Sequence, residues 1–210
     1  MLLSRTHSFL FVHIYKNAGR SITTALAPFA TSRAEWLFAR LLLKLKVPTD
    51  FLYFLPCPPH AKALEIQRRI GNAQFDNLFS FAFVRNPWDW QVSLYRYMLQ
   101  TTNHHQHKLG RDLGTFDRYI RWRCENEVRL QKDFICGDGD ELLVDFVGRF
   151  ERLGADFDTI CERIGISASL PMLNVSNRNS TSYRDYYNEE TKVLVEKAFE
   201  QDIEYFQYKF

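Results

Sequence analysis

The sequence predicts an α/β fold, a three-layer sandwich in which helices pack on a central parallel sheet. Two apolar runs, residues 8–14 and 79–84, support this prediction because strands buried on both faces of a parallel sheet are almost continuously hydrophobic. Segments with helical periodicity separate the predicted strands, and such alternation is typical of a parallel sheet. The predicted order is strand 8–14, helix 21–30, helix 34–46, helix 61–70, strand 79–84, helix 88–99, helix 115–124, strand 142–147, helix 155–164 and helix 189–200, with a further short strand at 51–55.

Composition favours a compact globular protein. The chain has 210 residues, 46% of them hydrophobic, and no low-complexity linker divides it, so we expect a single domain over residues 1–210. The formal net charge of +2 is too small to predict a nucleic-acid partner. Four cysteines without a C-x-x-C pair predict reduced thiols. The first apolar run is far too short to span a bilayer, and no basic region with a cleavage site precedes it, so we expect a cytoplasmic protein. The alternative is an enzyme whose membrane anchor was removed.

The first apolar run leads into a loop that favours anion binding, residues 16–22, Lys-Asn-Ala-Gly-Arg-Ser-Ile. A helix is predicted to follow, and its N-terminus offers unpaired backbone N–H groups and the positive end of the helix dipole. Gly19 lets the backbone approach a ligand, Ser21 can cap the helix or donate to an oxyanion, and Lys16 adds a cation. The alternative is an ordinary strand-to-helix turn with a surface lysine.

The order of residues in this loop differs from that of the nucleoside-triphosphate loop, G-x-x-x-x-G-K-[ST], in which the lysine comes late. Here Lys16 precedes Gly19 by three residues, and no strand-borne aspartate stands out as a magnesium ligand. A lysine-first loop suits a ligand whose 5′ phosphate is held by one cation and backbone amides without a metal.

The second apolar run ends in Arg85-Asn86-Pro87-Trp88-Asp89, where Pro87 suits the first turn of a helix. This places Arg85 at the carboxyl end of a central strand and Ser93 about two turns along the next helix. Open parallel sheets bind ligands at the carboxyl ends of their strands. Arg85 and Ser93 are therefore candidates to bind one phosphate, the arginine as a charged fork and the serine through its hydroxyl. The alternatives are a loop-closing salt bridge for Arg85 and helix packing for Ser93.

Together these segments resemble the phosphate motifs of sulfotransferases that use 3′-phosphoadenosine-5′-phosphosulfate. Residues 13–22 are similar to their 5′-phosphosulfate loop, and residues 83–89 with 93–95 are similar to their 3′-phosphate motif. The likeness is strongest to the carbohydrate type, which includes heparan and chondroitin uronosyl sulfotransferases and shorter bacterial relatives. It continues at residues 143–151, 173–176, 186–187 and 202–206. Three residues depart from the family pattern: Tyr15 replaces a usual proline, Arg20 a usual small hydroxyl residue, and Trp90 an arginine found in many relatives.

The resemblance implies a P-loop-NTPase-like sulfotransferase fold. It also implies transfer of a sulfuryl group from 3′-phosphoadenosine-5′-phosphosulfate, as co-substrate and without a metal, to a hydroxyl of a carbohydrate or glycolipid acceptor. In the resembling enzymes a loop near residues 174–178 closes over the adenosine, so Arg178 is either a further phosphate cation or a surface arginine. The implied donor-binding residues are Lys16, Asn17, Ala18, Gly19, Arg20, Ser21, Arg85, Ser93 and Arg178.

His60 is the candidate general base, since a base should have a pKa near the working pH. It follows three prolines within residues 56–59 and precedes the predicted helix at 61–70, at an exposed corner. In the resembling enzymes a histidine in this region serves as base, whereas the alternative is that His60 caps the helix. Lys16 is the natural cation for the leaving phosphate oxygen.

Several other features are assigned structural rather than chemical roles. The histidines at 104, 105 and 107 are predicted to lie in an exposed loop rather than a zinc site. The segment Asp138-Gly139-Asp140 is predicted to form a turn, and the basic positions from 118 to 132 a solvated helix face. The basic amphipathic helix at 34–46 is expected to pack on the core. The alternatives are that it lines the acceptor cleft or touches a membrane surface, a contact that is possible but not expected.

Two other functions are compatible with the sequence. One is a nucleotide kinase-like enzyme with an unusual loop, which the absence of a lysine–serine pair at a helix start disfavours. The other is a non-catalytic nucleotide-binding protein of the same fold, which the departures at Tyr15 and Arg20 favour and the presence of Lys16, His60 and Arg85 disfavours.

Overall fold

The computed structural model describes residues 1–30, 58–171 and 182–210, with Ala34, Leu41 and Leu45 between the first two ranges. The strands are β1 Leu2–Ser4, β2 Phe9–Val12, β3 Phe79–Val84 and β4 Phe146–Arg149. The helices are α1 Gly19–Leu26, α2 Ala63–Ile70, α3 Asn72–Phe75, α4 Pro87–Gln100, α5 His107–Leu113, α6 Phe116–Asn126, α7 Leu153–Arg163, α8 Glu189–Ala198 and α9 Glu200–Tyr205. Short 3-10 helices occur at Ala27–Phe29, Lys132–Phe134, Phe150–Arg152 and Tyr183–Tyr186. Most of the predicted helix at 34–46 and the predicted strand at 51–55 lie outside the described residues.

The four strands form one sheet in the order β1-β2-β3-β4. Strands β2, β3 and β4 run parallel, with Phe9 opposite Phe79 and Phe81 opposite Phe146, so the predicted parallel centre is confirmed. Strand β1 pairs antiparallel with β2 at one edge. The sequence prediction missed β1 because three residues are too few to show an alternating pattern.

The last strand lies further along the chain than predicted, at Phe146–Arg149 rather than 142–147. Leu142 instead forms an isolated antiparallel bridge with Cys136. Between them the chain turns through the predicted Asp138-Gly139-Asp140 turn, which is confirmed by the bond from the Gly137 N–H to the Glu141 carbonyl at 2.9 Å. The apolar residues before β4 therefore close a short hairpin and do not extend the sheet.

Burial on both faces explains the continuous apolar character of the central strands. Phe9, Phe11, Phe81 and Phe83 share one face with residues of α1 and α7. Leu10, Val12 and Ala82, whose side chains alternate to the opposite face, are also completely buried. The core on the first face consists of Phe9, Phe11, Ile22, Leu26, Phe81, Phe83, Phe157, Ile160, Cys161 and Ile164.

The chain divides into two compact units. The first unit comprises Met1–Val84 and Asp133–Leu173 and contains the sheet with α1, α2, α3 and α7. The second unit comprises Arg85–Lys132 and Asn174–Phe210 and contains the remaining helices. Its interior holds Trp88, Trp90, Tyr119 and Phe199, each almost completely buried.

Two predictions for the second unit are wrong. The histidine-rich stretch is not entirely a loop, because His107 begins α5 and its Nδ1 lies 2.8 Å from the Met98 carbonyl. The basic stretch is not uniformly solvated, since Arg123 and Lys132 are 2% and 6% exposed. The guanidinium of Arg123 instead forms an ion pair with Glu127 at 2.8 Å.

The described ranges lack both a metal-binding cluster and a membrane-spanning helix. Within them, no three histidine, cysteine, aspartate or glutamate side chains cluster in a way that could hold a metal ion. Nor do these ranges contain a helix whose length and hydrophobicity would allow it to cross a bilayer.

Candidate active site

The loop between β2 and α1 has an unusual backbone. Lys16 and Ala18 adopt left-handed conformations, with φ angles of 65° and 59°. Residues other than glycine rarely occupy this region, and such strained residues cluster at functional sites. The two left-handed residues turn the chain sharply after β2 and direct it into α1.

Helix α1 begins at Gly19, two residues before the predicted start. Ala18 is the N-cap, and its carbonyl accepts the first helical bond from the Ile22 N–H at 3.1 Å. No side chain caps this end, so the suggestion that Ser21 caps the helix is wrong. Because the N–H groups of the first turn have no partner within a helix, an uncapped end of this kind favours an anion.

Asn17 fixes the loop to the sheet. Its side chain is 1% exposed, and its Nδ2 donates to the Phe83 carbonyl at 2.7 Å. Phe83 lies one residue before the carboxyl end of β3, so the bond connects the loop after one parallel strand to the end of the next. The side chain of Asn17, predicted to bind the donor, is thus engaged in positioning the loop.

The side chain of His13 leaves no room for a Cβ atom at Gly19, so packing and not the backbone angle requires a glycine here. A Cβ atom at this position would lie 1.7 Å from Nε2 of His13, far inside van der Waals contact. The imidazole of His13 therefore fills the space against the first turn of α1. Sequence reasoning assigned the glycine to the approach of a ligand, and the structure adds this packed side chain as a second reason.

His13 is uncharged at neutral pH. Burial, with a smaller contribution from the nearby His60, lowers the pKa of His13 from 6.5 to about 3. Its ring stacks on Phe11, with 5.6 Å between the ring centroids. A neutral imidazole suits this position because a positive charge would be unfavourable at the positive end of α1.

His60 lies beside the start of this loop, although 47 residues separate it from His13. It occupies an exposed turn, and its Nδ1 is 3.0 Å from the His13 carbonyl oxygen. The two imidazole centroids are 4.5 Å apart, and the ring of Tyr15 meets His60 edge-on at 5.8 Å. Tyr15 also meets Phe134 at 5.8 Å, so a wall of aromatic rings borders the candidate base.

The contact with a carbonyl determines the tautomer of His60. A carbonyl oxygen can only accept, so the Nδ1 of His60 must carry the hydrogen of this bond. The neutral ring then has its lone pair on Nε2, which is the form that a general base needs. The alternative role of His60 as a helix cap is wrong, because α2 begins at Ala63 with Lys62 as its N-cap.

In the second unit, Arg85 and Ser93 lie near the start of α4. Asn86 caps this helix by accepting from the Trp88 N–H at 3.1 Å, and Pro87 occupies the first position as predicted. The Nε of Arg85 donates to Asp89 at 2.7 Å, and both side chains are mostly buried. A salt bridge, the alternative role considered for Arg85, is therefore present, and the phosphate role stays a prediction. Ser93 follows Asp89 by one helical turn and is half-buried.

Sequence reasoning missed two neighbours of Arg85. Asp89 stands at the i+4 position, a spacing that signals an ion pair once α4 is recognised. Gln131 contacts the backbone of Arg85 from 46 residues away, and no local pattern indicates this contact. Arg178, the remaining predicted phosphate cation, lies outside the described residues.

The structure thus brings part of the predicted site together. In the first unit, residues 16–18 form the loop and residues 19–21 the first turn of α1, and His13 connects this segment to His60. In the second unit, Arg85, Asp89 and Ser93 follow one another around the start of α4.

A comparison with protein families gives one match. The model of the sulfotransferase family matches residues 1–209, which include both candidate phosphate-binding segments. Neither curated proteins nor solved structures yielded a match in the corresponding searches.

Proposed function

This chain belongs to the sulfotransferase family, and we propose that it moves a sulfuryl group from 3′-phosphoadenosine-5′-phosphosulfate to a hydroxyl of a carbohydrate or glycolipid. Membership of the family makes the protein a transferase with a hydroxyl-bearing acceptor. The observation that carries the finer proposal is the lysine-first loop at the uncapped start of α1, which His13 connects to His60.

The proposal includes a P-loop-NTPase-like three-layer fold that forms a single domain over residues 1–210. The parallel order of β2, β3 and β4 supports it, as does the tight loop that leads from β2 into α1. The family match also runs through both compact units of the chain.

The first unit would bind the 5′ side of the donor. Backbone N–H groups of Gly19, Arg20 and Ser21 belong to the first turn of α1 and suit phosphate oxygens. Lys16 would supply the cation, while Asn17 and Ala18 hold the loop in shape. The side chain of Arg20 is exposed and forms no ion pair with the described residues, so it can add charge where the family usually has a hydroxyl.

The second unit would bind the 3′ phosphate through Arg85 and Ser93. Asp89 holds the Nε side of the Arg85 guanidinium, whose further N–H donors lie on the two Nη atoms. A guanidinium held in this way presents a fixed fork, the geometry that suits phosphate. The hydroxyl of Ser93 would add a neutral hydrogen bond, and Arg178 a further cation.

In the proposed reaction His60 takes the acceptor's hydroxyl proton on Nε2 while its Nδ1–H remains bonded to the His13 carbonyl. The acceptor oxygen forms the new bond to sulfur as the bond from sulfur to the 5′-phosphate oxygen breaks. The departing oxygen keeps the electron pair, and Lys16 stabilises its charge. Because His13 is neutral, it adds no like charge beside His60 when that ring becomes protonated.

Calorimetry with three nucleotides tests the donor. We expect 3′-phosphoadenosine-5′-phosphate to bind more tightly than adenosine 5′-phosphate or ATP, with no dependence on magnesium. Arg85→Ala should weaken its binding by about 2–4 kcal/mol, and Ser93→Ala by about 1 kcal/mol, because a charged partner contributes more than a hydroxyl. Preference for ATP with magnesium would instead support the kinase-like alternative. A non-catalytic binding protein would bind 3′-phosphoadenosine-5′-phosphate but give no sulfuryl transfer in either direction.

A further inference from the structure

We propose that Gln131 is the positioning residue for Arg85, and through it for recognition of the 3′ phosphate. This inference rests on the proposed function. The amide of Gln131 bonds to the backbone of Arg85 twice: it accepts from the Arg85 N–H at 2.9 Å, and its Nε2 donates to the Arg85 carbonyl at 2.8 Å. Two opposed bonds of this kind fix the peptide groups on both sides of the arginine.

Gln131 is itself held firmly. Its side chain is completely buried, and its backbone N–H donates to Asp202 at 2.7 Å. The second oxygen of the same carboxylate accepts from the Lys132 N–H at 2.9 Å, and Asp202 is also completely buried. A buried carboxylate that accepts two backbone N–H bonds is a strong anchor, so the position of Gln131 is determined by the interior of the second unit.

The result is that Arg85 is fixed at two points. Gln131 holds its main chain, and Asp89 holds the Nε of its side chain at 2.7 Å. A bidentate contact between a guanidinium and a phosphate depends on orientation, and small displacements of the binding group weaken it strongly. The two bonds from the Gln131 amide to Arg85 reach its main chain, so the effect of Gln131 on the phosphate would be transmitted through that arginine.

Gln131→Met tests the inference, because methionine keeps the length of the side chain and removes both hydrogen bonds. Dissociation constants for 3′-phosphoadenosine-5′-phosphate and adenosine 5′-phosphate are measured by calorimetry. We expect the first to rise about tenfold, the scale for loss of buried hydrogen bonds, and the second to change less than twofold. If the role of Gln131 were purely structural, the substitution would weaken the binding of both nucleotides alike.

Gln91→Met is the matched control. Gln91 is another completely buried glutamine of the second unit, and its side-chain amide has no hydrogen-bond partner in the described part of the chain. The substitution makes the same change of side chain without touching Arg85. Both dissociation constants should stay at the parental values in this variant.

A second variant keeps the test valid if Gln131→Met does not fold. Asp202→Asn leaves the side chain of Gln131 intact but replaces one of the two carboxylate acceptors with an amide donor. It should reduce the preference for the 3′-phosphorylated nucleotide by about threefold. The inference is overturned if a folded variant keeps the parental preference for the 3′-phosphorylated nucleotide. It is also overturned if the binding of both nucleotides weakens equally. Failure of the proposed function looks different, since the parent and Arg85→Ala would then bind the two nucleotides equally.

Discussion

At the scale of single residues, the proposed base depends on a backbone carbonyl. Many catalytic histidines are oriented by a carboxylate, which also adds negative charge beside the ring. Here the His13 carbonyl orients His60 at 3.0 Å and sets the tautomer without adding a charge. The proposed base therefore depends on the position of the chain directly after β2, and the phosphate loop begins at the same place.

His60→Ala should separate chemistry from binding. We expect kcat for sulfuryl transfer to a hydroxyl acceptor to fall about a hundredfold or more, the usual scale for loss of a general base. The affinity for 3′-phosphoadenosine-5′-phosphate should stay parental, because the base acts on the acceptor. His7→Ala is the control, since His7 packs edge-on against Phe29 and has no role in the proposal. Near-parental turnover of His60→Ala would make a carboxylate the next candidate for the base.

Lys16→Ala should lower both the affinity for 3′-phosphoadenosine-5′-phosphate and kcat. A lysine that binds the 5′-phosphate oxygen attracts charge in the bound donor and attracts more of it as the sulfur–oxygen bond breaks. We therefore expect a higher dissociation constant for 3′-phosphoadenosine-5′-phosphate together with a lower kcat. Lys197, an exposed lysine of α8, supplies the control substitution Lys197→Ala. If Lys16→Ala changed only the affinity, another group would have to stabilise the leaving oxygen.

At the scale of elements, the sequence predicted what depends on local patterns. The two apolar runs predicted β2 and β3. The change to helical periodicity after each run predicted α1 and α4. The contacts that hold the candidate site were not predictable in this way. Asn17 bonds to Phe83 across 66 residues, and Gln131 to Arg85 across 46. Such pairs form only when the whole chain folds, and no spacing in the sequence indicates them.

The start of α1 offers a test of the contact between Gly19 and His13. Gly19→Ala should destabilise the protein by about 1–3 kcal/mol, the usual cost of overpacking, because the new Cβ collides with the imidazole. In a His13→Ala background the collision disappears, so the same change should cost much less. Urea unfolding of the parent, both single variants and the double variant measures this coupling. Equal costs in the two backgrounds would show that Gly19 is required for another reason.

At the scale of the whole molecule, buried polar groups hold the regions that carry the candidate residues. Asn17 in the first unit is 1% exposed, and Gln131 and Asp202 in the second are completely buried. Asn17 bonds to the backbone of Phe83 and Gln131 to that of Arg85, while Asp202 accepts from the backbone of Gln131. Burying polar groups is costly unless they are hydrogen-bonded, so these bonds contribute to folding and to the placement of the site together.

His13 connects the candidate site to the stability of the protein. Its pKa is about 3 in the folded state and 6.5 in the absence of the fold. Between about pH 3 and pH 6.5, His13 binds a proton in the unfolded chain but not in the folded chain, so acidification favours unfolding. The free energy of unfolding should fall as the pH drops from about 6.5 towards 3, with a contribution from His13 of at most about 1.4 kcal/mol per pH unit.

His13→Ala isolates this contribution, because the other titrating groups are the same in both proteins. At pH 7 the variant should be less stable than the parent, since it loses the packing of the ring on Phe11 and Gly19. On acidification the parent should lose stability faster, so the two curves of unfolding free energy against pH should converge below about pH 6.5. Urea unfolding at pH 7, 6, 5 and 4 measures both curves. Parallel curves would mean that His13 takes up a proton in the folded protein as readily as in the unfolded chain. Its description as a half-buried neutral ring beside His60 would then be wrong.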